Sequence, residues 1–356
     1  MRRAVAALFV LSLVAALVVT VRDDDSEGTA TAAAGPVTTS STSSTSSTSS
    51  TSSTVVATTV PPQTTTTAAP APLTAPTATP PAAASAPLPK VVVSPRGVVV
   101  PVTGREGDAF QVRTPCGRSA VLAGGTPVSE ATVVLDAGHG GSEPGAVSPA
   151  GLSEKVVNLA VVNHARDALE RAGKPTVLTR TADYRIPLAS RAAVVMALRP
   201  KAFVSVHHNA EPDGPRSGPG SETYYQVASP ESKRLAGLVY EEVVKALSAY
   251  PLTWVADSDA GAKYRRNASG DDYYGILRRT QGVPSVLAEL AFVSNPPEAD
   301  LVARPDVQKI EGEAVARGIL RFLDTADPGS GFVEPYPRDS PAGGGGGSSG
   351  CVDPPL

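Results

Sequence analysis

Between Ala131 and Leu323 the chain alternates between two hydrophobic periods. Short apolar runs, rich in β-branched residues, begin at Val133, Pro175, Lys201, Glu222 and Val283 and have the length of buried strands. Between them, apolar positions recur at helical spacing. Lys155–Ala172 carries Val156, Leu159, Val162 and Leu169 and stops at Gly173, and Leu188–Leu198, Ser232–Ser248 and Val307–Leu323 read the same way. Strands interleaved with helices predict an α/β domain over residues 131–325. The expectation is one mixed, mostly parallel sheet with helices on both faces, and functional groups gathered beyond the strand ends.

Upstream the pattern is different. Val91–Val93, Val98–Val100, Ala109–Arg113 and Ser119–Leu122 are short β-type runs, the second expected to end at Pro101, which cannot donate to a ladder. They predict a small β-subdomain over residues 90–130, poor in aromatic rings for sugar stacking and better suited to packing. Residues 26–89 are nearly all Ser, Thr, Ala, Pro and Val. Such a stretch buries too little apolar surface to offset chain entropy and reads as an extended stalk. Before it, Met1-Arg2-Arg3 leads into the uncharged run Ala4–Val21, a signal peptide or a signal anchor spanning residues 1–25. Its length and the lack of a small-x-small cleavage site favour an anchor. Either one places the rest outside the cytoplasmic membrane, wall-associated or secreted. Residues 326–356 form a Gly/Pro-rich tail.

A net charge of −3 gives no basic field for nucleic acid, and a monomer is expected. The two cysteines, Cys116 and Cys351, are too few and too far apart for a thiolate metal site. In an oxidising location they permit a disulfide that would pin the tail to the β-subdomain.

The polar residues that interrupt the apolar runs carry the chemistry. Val133-Val134-Leu135 runs into Asp136-Ala137-Gly138-His139-Gly140-Gly141, a glycine-rich turn that leaves backbone room beside an imidazole. Glu154 opens the first helix, His207 and His208 end the third strand, and Glu289 interrupts the last. Two imidazoles and one carboxylate, with a fourth position left to water, form the ligand set of a catalytic zinc site. A further carboxylate within reach of that water serves as the base. Successive side chains of a strand point to opposite faces, so only one of His207 and His208 can join His139.

These stretches in this order, Gly138-His139-Gly140-Gly141, Gly151-Leu152-Ser153-Glu154-Lys155 with Asn158-Leu159, Ser205-Val206-His207-His208-Asn209-Ala210 and Val283–Asn295, resemble the zinc-dependent N-acetylmuramoyl-L-alanine amidases. Those bacterial enzymes cut the amide between muramic acid and the stem peptide of peptidoglycan. The resemblance implies one zinc held by His139, Glu154 and His207, with Glu289 as catalytic carboxylate and peptidoglycan as partner. Its register favours His207 over His208. Asn209, Arg278 and Ser294 are candidates to orient substrate, while Asn158 and Asn163 read as structural and His164 as an ordinary surface residue. Three positions depart from the family pattern: Glu143 where aspartate is usual, Ala291 where glycine is usual, and His208 where a small residue is usual. Some members insert an inhibitory helix after the His207 strand, but Glu211–Ser221 is short and rich in Gly and Pro, so no such plug is expected. The alternatives are a non-catalytic wall-binding homologue, which would have lost a ligand or Glu289, and another zinc amidohydrolase such as a deacetylase.

Overall fold

The computed structural model describes residues 87–336 and 347–356, all within one compact unit. The expected anchor, the stalk up to residue 86 and part of the tail lie outside the described residues. No helix among the described residues is long and apolar enough to cross a membrane.

The upstream runs form a five-stranded antiparallel sheet from β1 (Val91–Val93), β2 (Val99–Glu106), β3 (Ala109–Arg113), β4 (Ser119–Leu122) and β5 (Thr126–Val128), in the order β4-β3-β2-β1-β5. Contrary to expectation, β2 runs straight through Pro101. That residue stands opposite Val91, where the bond toward β1 comes from Val102 N to Lys90 O, so no N–H is required of it there.

The larger region follows as β6 (Val133–Ala137), α1 (Glu154–Arg171), β7 (Thr176–Leu178), α2 (Leu188–Leu198), β8 (Ala202–Asn209), β9 (Gly214–Arg216) and β10 (Glu222–Tyr225). It continues with α3 (Pro230–Leu247), β11 (Trp254–Ala256), β12 (Ala262–Lys263), α4 (Gly275–Arg279), β13 (Ser285–Phe292), α5 (Pro296–Val302) and α6 (Pro305–Asp324). Six strands form a sheet in the order β12-β10-β13-β8-β6-β7, and β9 pairs with β11 as a separate ribbon. The fold is therefore mixed α/β, and the described residues form three sheets: the upstream antiparallel one, this mixed one and the antiparallel β9–β11 ribbon, so the larger region does not hold the single sheet expected of it. Within the mixed sheet β10 runs antiparallel to β13. The cause is the link from β8 to β10. A link that keeps two strands parallel has to cross back along the sheet, usually as a helix, whereas residues 210–221 hold only β9 and turn the chain back at the same edge, on the far side of β13. That reversal puts Glu222, the first residue of β10, beside the strand ends that carry His207 and Glu289.

Alternation sorts the central strands between two layers. Val133, Leu135, Val204, Val206, Val286 and Ala288 pack with α1, α3 and α6 in one core. Val134, Phe203, Tyr224 and Leu287 face the other way, against α2, α4 and the β1–β2 valines. The five-stranded sheet thus covers one flank of α2. On that second face, toward the strand ends, the apolar positions give way to Asp136, Ser205, His207, Glu289 and Glu222.

Candidate metal site and catalytic cleft

The turn after β6 is held open in a conformation that most side chains avoid. His139 has φ 60°, in the left-handed region. Two buried arginines fix it. Arg191 donates to the carbonyls of Ala137 (2.7 Å), His139 (2.6 Å) and Ile186 (2.8 Å), and Arg180 to those of Ala137 (2.9 Å), Gly138 (3.0 Å) and Lys155 (2.8 Å). Beneath them Asp136 pairs with Arg191 at 2.6 Å and accepts from the hydroxyls of Ser205 and Thr179. Burial alone would raise the Asp136 carboxyl, but Arg191, Ser205 and Thr179 outweigh it and hold it at about 2.

Three donors converge above this base. One ligand atom from each of His139, Glu154 and His207 lies within 4.8 Å of the others. Glu154 Oε2 is 3.2 Å from His139 Nε2, Glu154 Oε1 is 2.9 Å from His207 Nδ1, and the two rings meet edge to face at 5.0 Å. The same carboxylate accepts from the backbone N–H of Ala146 (2.8 Å) and of His208 (3.1 Å) and from Asn158 Nδ2 (3.0 Å). Burial works against its charge, yet hydrogen bonds from His139 and His207 hold it well below the usual carboxylate range. His207 is lowered by its own burial, with Glu154 pulling the other way. Two glycines leave the room. A Cβ on Gly138 would lie 2.2 Å from His207 Cε1, and one on Gly145 2.3 Å from Glu154 Oε2 and 2.6 Å from His139 Cδ2.

Glu289 sits beside this cluster. It pairs across the sheet with His207 on one side and Glu222 on the other, so the three side chains form a row. Burial first, then the charges of Glu154, Glu222 and Asp257, push the Glu289 carboxyl well above its ordinary value. Its Oε2 is buried with no hydrogen-bond partner among the described residues. Glu222 is itself anchored by Lys263 Nζ (2.7 Å), the Tyr224 hydroxyl (2.7 Å) and Asn209 Nδ2 (3.1 Å). His139, His207 and Glu289 line one cleft of about 580 Å³, walled by Ile186, Leu188, Tyr274, Ile276 and Leu287 and rimmed by Glu143. Two imidazoles and a carboxylate suit a divalent cation of zinc type. An unpaired carboxylate oxygen a strand away can take or give a proton at a molecule held in the cleft.

The sequence profile of the family described as N-acetylmuramoyl-L-alanine amidase matches residues 133–321, more than half of the chain. The chain belongs to that family. It is 35% identical over 212 residues to the uncharacterized protein YqiI of Bacillus subtilis (strain 168), covering 59% of this chain and 91% of that one. Identity to the N-acetylmuramoyl-L-alanine amidase AmiC of Neisseria meningitidis serogroup B is 28% over 223 residues, 54% of this chain and 53% of the relative, so the chain spans about half the length of that protein. The solved N-acetylmuramoyl-L-alanine amidase AmiC2 of Nostoc punctiforme aligns at 30% identity and a TM-score of 0.45, covering 54% of this chain and 96% of that one.

Within this amidase-family domain the other candidates fall in different places. Asn209 holds Glu222, and Ser294 Oγ accepts from Glu211 N at a turn. Arg278 lies outside the cleft. It lines a separate cavity of about 390 Å³ and donates to the carbonyls of Asp272 and Tyr273. Asn163 bonds the carbonyl of Leu159 within its own helix, whereas Asn158, read as structural, touches Glu154 directly. Glu143 pairs with Arg185 at 2.9 Å, and Ala291 sits where the β13–β8 register shifts, between Glu289 and Phe292. Arg180, Arg191 and Glu222 had no sequence signal of their own. Arginines that bond backbone carbonyls follow no spacing rule, and Glu222 enters the site only because β10 is reversed.

Proposed function

We propose that this chain hydrolyses the amide between the lactyl group of N-acetylmuramic acid and the L-alanine of the stem peptide, using one zinc ion held by His139, Glu154 and His207. The observation that carries the reading is the convergence of those three donors within 4.8 Å beside the cleft that His139, His207 and Glu289 line, where Glu289 Oε2 has no hydrogen-bond partner among the described residues. The cradle fits the metal, since Gly138 and Gly145 are open where a methyl group would displace the donors. Zinc bound there supplies Lewis acidity to the scissile carbonyl and lowers the pKa of water toward neutrality.

The residues of the chain do the rest. Arg191 and Arg180 keep the His139 turn in its left-handed form, and Asn158 with the Ala146 and His208 amides orients Glu154. Glu289 takes the proton of the attacking water as the C–O bond forms. It then carries that proton to the departing amine of L-alanine as the C–N bond breaks. The apolar wall from Ile186 to Leu287 excludes bulk water and suits the methyl groups that flank the bond.

The remaining layout is proposed from the sequence. The Ala4–Val21 run anchors the chain outside the cytoplasmic membrane, residues 26–89 are a spacer toward the wall, residues 90–130 are a packing element, and the tail follows the catalytic domain.

The test uses the full chain on purified peptidoglycan. Chelation abolishes release of stem-peptide amino termini, one equivalent of zinc restores it, and no acetate appears. Release of acetate instead would replace this reading with deacetylation. Release that survives complete metal removal would end the metal reading.

A further inference from the structure

A buried titratable pair in this molecule takes no part in the chemistry above. His208 and Glu311 are 1% and 0% exposed, with His208 Nε2 3.3 Å from Glu311 Oε1. The ring points away from His207, into the layer where Val157, Val161, Ala314 and Val315 pack. Glu311 arrives there because α6 lies against α1 at Gly312, where a Cβ would be 2.5 Å from Val161 O. Its Oε2 has no hydrogen-bond partner among the described residues. Placing two such groups in an aliphatic layer is costly unless they are bonded to each other and to something else.

That something else is the metal-site carboxylate. His208 Nδ1 is 2.8 Å from Asn158 Oδ1, and Asn158 Nδ2 donates to Glu154 Oε1 (3.0 Å) and to Gly138 O (3.3 Å). With the amide nitrogen committed to two acceptors, its oxygen faces His208, and Nδ1 must be the donor. The backbone N–H of His208 meets the same Glu154 oxygen at 3.1 Å. A line of hydrogen bonds therefore runs from Glu311 on α6 through His208 on β8 and Asn158 on α1 to Glu154.

We propose that His208, braced by Glu311, is a positioning residue that fixes the Glu154 carboxylate for metal through Asn158. The inference rests on the reading of Glu154 as a ligand and adds what holds it. A carboxylate on a flexible stem must be oriented before it binds, and loss of such outer contacts typically weakens metal affinity about 10–100-fold.

The test is zinc affinity of the full chain, by competition with a chromophoric chelator. Replacing both partners together, His208→Leu with Glu311→Leu, avoids an orphaned buried charge. This variant keeps a cooperative unfolding transition and loses about 10–100-fold in zinc affinity. His208→Asn with Glu311→Leu returns a donor to the Nδ1 position and recovers most of that loss. A leucine pair that binds zinc as tightly as the parent, or an asparagine variant that is folded but does not recover, overturns the inference. A parent that binds no zinc instead overturns the ligand reading itself. Should neither variant fold, nitrogen NMR of the parent's imidazoles decides. A proton on His208 Nδ1 is the expected result, and a bare Nδ1 contradicts the role.

Discussion

Gly138 and Gly145 set how closely His139, Glu154 and His207 can approach. At Gly138 a methyl group would occupy the His207 ring itself, and at Gly145, φ 70°, it would press on Glu154 and His139 together. Gly138→Ala and Gly145→Ala are each expected to lower zinc affinity by at least the ~10–100-fold typical of lost ligand orientation, with the fold retained. Gly214→Ala, where a Cβ meets nothing within 4 Å, is the control and should bind as the parent does. Equal affinity in all three would show that the cradle does not govern the donors. The four central residues were legible from sequence because each breaks an apolar run or opens a helix, where a charged or imidazole group needs a reason. Asn158 reads as structural, and its contact with Glu154 leaves no sequence signal, for the opposite cause. An asparagine inside a helix is ordinary by pattern, and only tertiary packing brings its amide to Glu154.

At the scale of elements, three neighbouring strands each deliver one group to the same edge: His207 on β8, Glu289 on β13 and Glu222 on β10. The first two follow from a parallel α/β sheet, and the major helices α1, α2, α3 and α6 fall where the apolar period placed them. The third does not follow from it. Strands as short as β9, β11 and β12 have too few residues to show a period, and the direction of β10 is decided by a loop. The reversal has a pH consequence. Burial first, then Asp257, raises the Glu222 carboxyl from 4.5 to about 7 despite Lys263. The folded state therefore binds more protons than the unfolded state between these values. This contribution to stability is complete below pH 4.5 and is lost as pH rises through about 7. In urea unfolding of the metal-free protein, the stability of the parent relative to Glu222→Gln should fall as pH is raised across that window. A difference that stays flat from acid to neutral pH would contradict the assignment.

At the largest scale, the last described residues, 347–356, are tied back to the five-stranded sheet. Cys116, between β3 and β4, is joined to Cys351, with Cα atoms 5.6 Å apart. Asp353 accepts from Thr114 Oγ1 (2.9 Å) and Cys116 N (2.7 Å), Leu356 packs on the cluster that joins the five-stranded sheet to Tyr184 and Ile186, and Arg185 holds Gly347 O and Ser349 O while it pairs with Glu143 on the rim of the cleft. Replacing both cysteines with serine is expected to cost about 2–4 kcal/mol of stability while zinc content stays at one per chain. Unchanged stability would mean that the polar contacts alone hold the tail. Cysteine count and compartment made the pairing conceivable from sequence, but only the fold shows the two residues side by side. The central claim, that Glu289 works on an amide beside a metal held by His139, Glu154 and His207, is tested most directly by one comparison. Zinc content and stem-peptide release from purified peptidoglycan are measured for the full chain and for Glu289→Gln. One zinc in each, with release at least about 10²-fold lower in the variant, is the predicted result. A variant that keeps its zinc and cleaves as fast as the parent would contradict it.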